Sequence, residues 1–133
     1  MSYHGAADRA WVDQAVADFG RGMGLDGWHL DGQGEAGVQL QSGLRLNIRL
    51  LESDVLLQVA CPLAFEPAGI KLRALQAADV RQGGELQVGL RGRDAEETLM
   101  LARRIGWREV SPSSLAQGFE SLLQWLDQRR RGG

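Results

Sequence analysis

From Val38 to Val59 apolar and polar residues alternate, and a two-residue repeat can bury one side of a segment only if the backbone is pleated. Val38 and Leu40 alternate with Gln39 and Gln41, while Leu44, Leu46, Ile48 and Leu50 alternate with Arg45, Asn47, Arg49 and Leu51. The turn between these runs decides whether their apolar rows share a face, because a slip of one residue sends every side chain to the other side. A two-residue turn at Ser42-Gly43 would pair Gln41 with Leu44 and separate the rows. A three-residue turn over Gln41, Ser42 and Gly43 instead sets Leu40 opposite Leu44 and Val38 opposite Leu46, with Gly43 in the left-handed position such turns favour. The three-residue turn is therefore expected. By the same logic Leu51 to Asp54 is a four-residue turn that sets Leu50 against Val55. Val55, Leu57 and Val59 then continue the inner face as a third strand, which Pro62 and Pro67 end.

Outside this stretch the period changes. Trp11, Val12, Ala15, Val16, Phe19 and Met23 recur in steps of three and four, which predicts an amphipathic helix from Asp8 to about Met23, loosened by Gly20, Gly22 and Gly24. Asp26 to Gly37 is glycine-rich and polar apart from Trp28 and Leu30, and reads as a mobile loop or a poorly paired edge strand. Ala68 to Val80, carrying Leu72 and Leu75, fits a second helix that Gly83-Gly84 breaks. Leu86, Val88 and Leu90 alternate from Glu85 onward as a fourth strand.

The fifth strand, about Glu97 to Arg103, is apolar on both sides. Leu99 and Leu101 point one way, Thr98, Met100 and Ala102 the other, so its outer face needs cover from a helix or from another subunit. Ser111 then reads as an N-cap with Pro112 at the first helical position. Leu115, Phe119, Leu122 and Leu126 form the buried stripe of this last helix, with Trp125 about 60° off its centre. The order α-β-β-β-α-β-β-α predicts an α+β fold, an antiparallel sheet of about five strands with three helices. A chain of 133 residues is expected to form one domain over 1–133, with 1–8 and 129–133 as frayed tails.

Bulk properties exclude several function classes. A net charge of −2 and a pI near 5.7 supply no basic field for nucleic acid. No apolar run reaches the length of a membrane span, Met1 to Ala10 carries no export signal, and the single Cys61 leaves no internal disulfide to form. A cytoplasmic protein is expected. His4 and His29 have no partners at metal-ligand spacing, and Cys61, beside Pro62 at the end of an apolar strand, reads as a buried thiol. Asp26, Asp31 and Glu35 lack the spacing of a calcium loop, and the glycines at 20, 22 and 24 follow a helix where a phosphate loop follows a strand. No catalytic residue, metal site or cofactor is expected. Arg103, Arg104 and Arg108, with Arg129 to Arg131, read as charge at a strand end and a helix end. The alternative function is a small-molecule or phosphate-binding regulatory domain using Arg103, Arg104 and Arg108.

Two segments carry a family likeness. Trp11-Val12-Asp13-Gln14-Ala15-Val16-Ala17-Asp18-Phe19, followed by Gly24-Leu25, resembles the opening helix of the class I chaperones of bacterial type III secretion, and within them of the SycN-like subgroup. Leu115-Ala116-Gln117-Gly118-Phe119-Glu120-Ser121-Leu122-Leu123 resembles their closing helix, with its Phe-Glu-x-Leu-Leu core, and the shared order of elements runs from Trp11 to Gln128. The first ten residues and the glycine-rich loop depart from the pattern. The resemblance implies a non-enzymatic dimer that holds the N-terminal segment of a secreted protein extended and export-competent in the cytoplasm. SycN-like members pair with a second, different chaperone and serve the gatekeeper that plugs secretion.

On that reading the candidate dimer contacts are Leu72, Leu75, Leu99, Met100 and Leu101, and the candidate client contacts are Leu40, Leu44 and Trp125. A client would add a strand to an exposed sheet edge and set apolar side chains into grooves beside the helices. The expected partners are a gatekeeper-like or effector segment and a second small chaperone or a second copy, with neither nucleic acid nor membrane insertion.

Overall fold

The computed structural model describes residues 6–79 and 86–131. Its elements follow the expected order: α1 (Ala6–Gly22), β1 (Glu35–Gln39), β2 (Arg45–Leu50), β3 (Asp54–Pro62), α2 (Ile70–Asp79), β4 (Leu86–Arg91), β5 (Thr98–Gly106) and α3 (Pro112–Arg131). Short 3-10 turns lie at Leu63–Phe65, Asp94–Glu96 and Trp107–Glu109. The strands form one antiparallel sheet in the order β1-β2-β3-β5-β4, so the last strand enters between the third and the fourth. His4, the break at Gly83-Gly84 and the strand start at Glu85 lie outside the described residues.

The registers are the ones the alternation required. Val38 stands opposite Leu46, and Leu50 opposite Val55. At the first hairpin Leu40 N–H donates to the Leu44 carbonyl at 2.8 Å and Gly43 N–H to the Leu40 carbonyl at 3.0 Å. Gly43 has φ +92°, a backbone that residues with a Cβ rarely adopt.

One sheet face builds the core. Leu46, Ile48, Val55, Leu57, Val59, Leu99 and Leu101 are fully buried there, under Val12 and Val16 of α1 and Leu115, Leu122 and Leu126 of α3. Helix α3 approaches the sheet closely because residue 118 is glycine: a Cβ there would sit 2.9 Å from Leu57 Cδ2 and 3.4 Å from Ile105 Cδ1. The stripe facing the sheet is therefore Leu115, Gly118, Leu122 and Leu126, and Phe119 turns out half-buried. It meets Phe19 of α1 edge-on, with ring centroids 6.2 Å apart.

The start of α3 is capped as its sequence predicts. Ser114 N–H donates to Ser111 Oγ at 3.0 Å, and Ser111 N–H donates to Ser114 Oγ at 2.9 Å, so two helix-end donors are satisfied reciprocally. Its end differs from expectation. The helix runs through Arg129 to Arg131, held where Arg130 meets Glu66 through two contacts of 2.7 Å and the Arg129 guanidinium lies 4.3 Å from the centre of the Trp125 ring. Two further expectations change with helical phase: Trp11 is 49% exposed, and α2 buries Ile70 and Ala74 while Leu72 stands 61% exposed.

Candidate interaction surface

Side chains alternate through a sheet, so every strand position that does not face the helices faces the other way. Register places these outward residues in cross-strand rows. Arg45 stands beside Ala60, Ala60 beside Met100 and Met100 beside Gly89; one row along, Asn47, Gln58, Ala102 and Gln87 follow one another, and Thr98 lies beside Arg91. The helices pack on the opposite face, and no helix of the described residues covers this one: Ala60, Gln58 and Met100 stay half-buried. A hollow of about 410 Å³ opens over them, with Ala60, Met100, Asn47, Gln58 and Thr98 in its lining and Arg45, Arg49, Arg91 and Glu96 also around it.

Charge on this face is uneven. Arg49 Nε meets Glu35 Oε1 at 2.7 Å, so one positive charge is matched within the chain. Arg45 and Arg91, both exposed, have no ion pair and no side-chain hydrogen bond to the described residues. The Arg45 side chain leans over Gly37, where an added Cβ would lie 2.8 Å from Nη2. A chain of net charge −2 thus gathers three arginines against Glu96 around one hollow.

The free edge of β1 is partly closed by the loop before it. In an antiparallel pair alternate residues bond across the ladder, and the Leu40–Leu44 and Leu50–Gly34 bonds show that the even-numbered residues of this strand face β2. The backbone groups of Glu35 and Gly37 therefore point to the free edge. Asp31 takes both groups of Glu35: its N–H donates to the Glu35 carbonyl at 2.8 Å, and its Oδ1 accepts from Glu35 N–H at 3.0 Å. The Trp28 indole N–H donates to the Gly37 carbonyl at 3.2 Å. These N–H groups, Glu35 first and then Gln33, hold the Asp31 carboxyl below the usual carboxylate range. Leu30 is buried and its N–H donates to Asp13 of α1 at 2.9 Å. The glycine-rich segment is thus a pinned loop leading into a fully registered edge strand.

The residues singled out in the sequence fall in different places. Leu99 and Leu101, offered as dimer contacts, lie on the helix side of β5 and are fully buried within the chain's own core. Leu44 is likewise buried, at 3% exposure. Met100 remains on the uncovered face, Leu72 is exposed on α2, and Leu75 and Leu40 are half-buried. Trp125 is half-buried with Arg129 against its ring. Leu90 of β4, 37% exposed, is an exposed apolar residue that the sequence reading left unmarked. Arg45 and Arg91 were also missed, since nothing local marks two arginines on different strands as neighbours of one hollow.

Of the arginines of the alternative reading, Arg103 and Arg104 border one hollow of about 170 Å³ with Glu109, Ser114 and Gln117, and Arg108, exposed, is not in its lining. Arg103 points to the helices and donates to Ser121 Oγ at 2.8 Å, whereas Arg104 points to the other face and meets Asp54 at 3.6 Å. Cys61 faces the core, and burial, then the neighbouring Glu66 carboxylate, pushes its thiol up to about 12. His29 is exposed, with Nδ1 2.8 Å from the Leu30 carbonyl. Among the described residues no group of three or more His, Cys, Asp or Glu is placed to hold a metal ion, and no helix is long and apolar enough to cross a membrane.

The family of type III secretory system chaperone SycN matches residues 11–128. The chain belongs to the SycN family of type III secretion chaperones. This is a non-enzymatic class. No curated protein sequence matches the chain significantly. Among solved structures this SycN-family chain is similar to one in the ExsC–ExsE complex, with a TM-score of 0.72 at 17% identity over 92% of this chain and 93% of that one. It is similar to a chain of the HopA1–SchA chaperone–effector complex, with a TM-score of 0.67 at 15% identity over 96% and 99% of the two chains. It also matches a structure of the Yersinia pestis type III secretion chaperone SycH in complex with a stable fragment of YscM2, with a TM-score of 0.65 at 13% identity over 88% and 98%. At these identities the likeness is one of fold.

Proposed function

We propose that this SycN-family chain binds the N-terminal segment of a secreted protein, gatekeeper or effector, and keeps it export-competent in the cytoplasm as one subunit of a chaperone pair. The family match over residues 11–128 supports the chaperone role. The solved relatives include a chaperone–effector complex and a chaperone holding a fragment of another protein, which supports a polypeptide as the bound partner.

The observation that carries the pairing is an exposed apolar pair on adjoining elements. Leu72 of α2 is 61% exposed and Leu90 of β4 is 37% exposed, and α2 packs against β4. Aliphatic side chains left in water on packed elements gain roughly 25 cal/mol per Å² when a partner covers them. Leu75, half-buried on α2, lies three residues from Leu72, on the neighbouring turn of the helix, and Met100 belongs to the uncovered sheet face.

Native mass spectrometry of the tagged chain from its host tests it, together with the secreted proteome of a deletion strain. The expected result is a second small chain with a larger secreted polypeptide, and a defect in that polypeptide's export on deletion. Leu72→Asp should lower the associated mass while leaving the far-UV circular dichroism unchanged. A lone monomer with no bound polypeptide, together with unaltered secretion, would overturn the proposal.

A further inference from the structure

The outer face of the sheet carries chemistry that a surface for apolar side chains alone does not require. Its floor is apolar at Ala60 and Met100, its polar lining is Asn47, Gln58 and Thr98, and Arg45 and Arg91 stand around it without partners among the described residues. Lone exposed arginines are ordinary. Two of them across one hollow, with Arg49 beside the first and Glu96 as the one carboxylate among the described lining residues, make a directional charge pattern on an acidic chain.

We infer that this face recognises an extended acidic segment of the client polypeptide, with a carboxylate at each end of the hollow and a small apolar side chain between them. The inference rests on the chaperone reading above. Register supplies the spacing. Arg45 lies on β2 and Arg91 on β4, with β3 and β5 between them; three inter-strand steps across the sheet and an offset of two residues along it, since Gly89 and not Arg91 shares the row of Arg45, put their backbones about 16 Å apart. An extended chain covers about 14 Å in four residues, the flexible arginine side chains take up the remainder, and residues four apart point to the same side. The segment that fits is acidic-x-apolar-x-acidic, its first carboxylate on Arg45, its middle side chain over Ala60 and Met100, and its second carboxylate on Arg91.

The β1 edge favours this placement over strand addition there. Asp31 and Trp28 occupy both backbone groups of Glu35 and the carbonyl of Gly37, so a client strand docking at that edge must first displace them. The outer face needs no such rearrangement. Guanidinium groups also match carboxylates in a paired geometry that lysine does not offer. Acidic residues on the client therefore supply orientation as well as attraction.

The test is fluorescence anisotropy of a labelled twelve-residue peptide bearing one Glu-x-Val-x-Glu unit, titrated with the full chain in the oligomeric state in which it purifies. Controls are the same peptide with both Glu replaced by Gln, and an Arg45→Gln/Arg91→Gln variant. Both arginines are exposed, so an unchanged melting temperature is expected and is checked first. The Glu peptide should bind the wild type about tenfold more tightly than the Gln peptide at low salt, with the gap closing in the variant and in high salt. Equal binding of the two peptides, no binding of either, or a Glu preference that survives in the variant would overturn the inference. A deletion strain separates the two levels of argument. If the variant restores export as fully as the wild type, the acidic-segment inference fails while the chaperone reading stands; if deletion itself changes no secreted protein, the chaperone reading fails first.

Discussion

Replacing Gly43 by valine tests the first hairpin where backbone geometry can be separated from packing. Gly43 has φ +92°, and a Cβ built there meets nothing within 4 Å. Any cost must therefore come from the left-handed backbone. A β-branched residue forced into that region costs about 2 kcal/mol, whereas asparagine, which tolerates it better, should cost about half as much. For 133 residues, 2 kcal/mol lowers Tm by roughly 7 °C at fixed protein concentration. The assay is paired urea and thermal unfolding of wild type, Gly43→Val and Gly43→Asn by circular dichroism. An unchanged denaturant slope would show that the loss belongs to the native hairpin. Equal stability of the valine and wild-type chains would refute the three-residue turn. That outcome would also undo the Val38–Leu46 register, and with it the placement of Gly37 beneath the Arg45 side chain, while the pairing of β2 with β3 would still hold Arg45 and Asn47 on the outer face.

The remaining predictions probe the loop, the helix end and the core thiol. Trp28→Phe keeps an aromatic ring near Phe19, whose centroid is 6.3 Å away, but removes the donor to Gly37; it should cost about 1 kcal/mol and speed amide exchange at Ala36 and Val38, and unchanged exchange would refute the edge closure. Glu66 is held below its ordinary 4.5, first by the Arg130 hydrogen bonds, so its contribution is fully present above the ordinary carboxylate range and is lost as pH falls through the lowered folded value. Urea midpoints from pH 7 down to pH 3 should fall less steeply in Glu66→Gln than in wild type, and parallel curves would contradict that assignment. With its thiol near 12 and no exposed surface, Cys61 carries about one thiolate in ten thousand at pH 8, so a disulfide reagent should label it only at the rate of unfolding.

Local pattern and tertiary placement carried different parts of the result. A two-residue repeat, a turn glycine and an Ser111–Pro112 cap are short-range features whose energetics act within a few residues, so strands β2 and β3, their registers and the start of α3 were legible in the chain itself. Helical phase was less so. Trp11 and Leu72 sit on stripes that periodicity marks as apolar, yet which side of a helix is buried depends on what it packs against. Likewise β5 reads as apolar on both faces, and only the sheet shows Leu99 and Leu101 turned to the core with Met100 turned away.

The candidate surface lies further from what pattern can show. The outward run of Arg45, Asn47 and Arg49 is visible as the polar half of an alternation. Its meeting with Arg91 depends on β5 entering between β3 and β4, a choice of strand neighbours made by long-range packing. The sequence alone determined the elements, the first two hairpins and the family likeness, because these rest on interactions between residues close along the chain. The tertiary structure decided which apolar residues remain exposed and which charges share a face, because both follow from contacts between segments that the chain brings together only on folding.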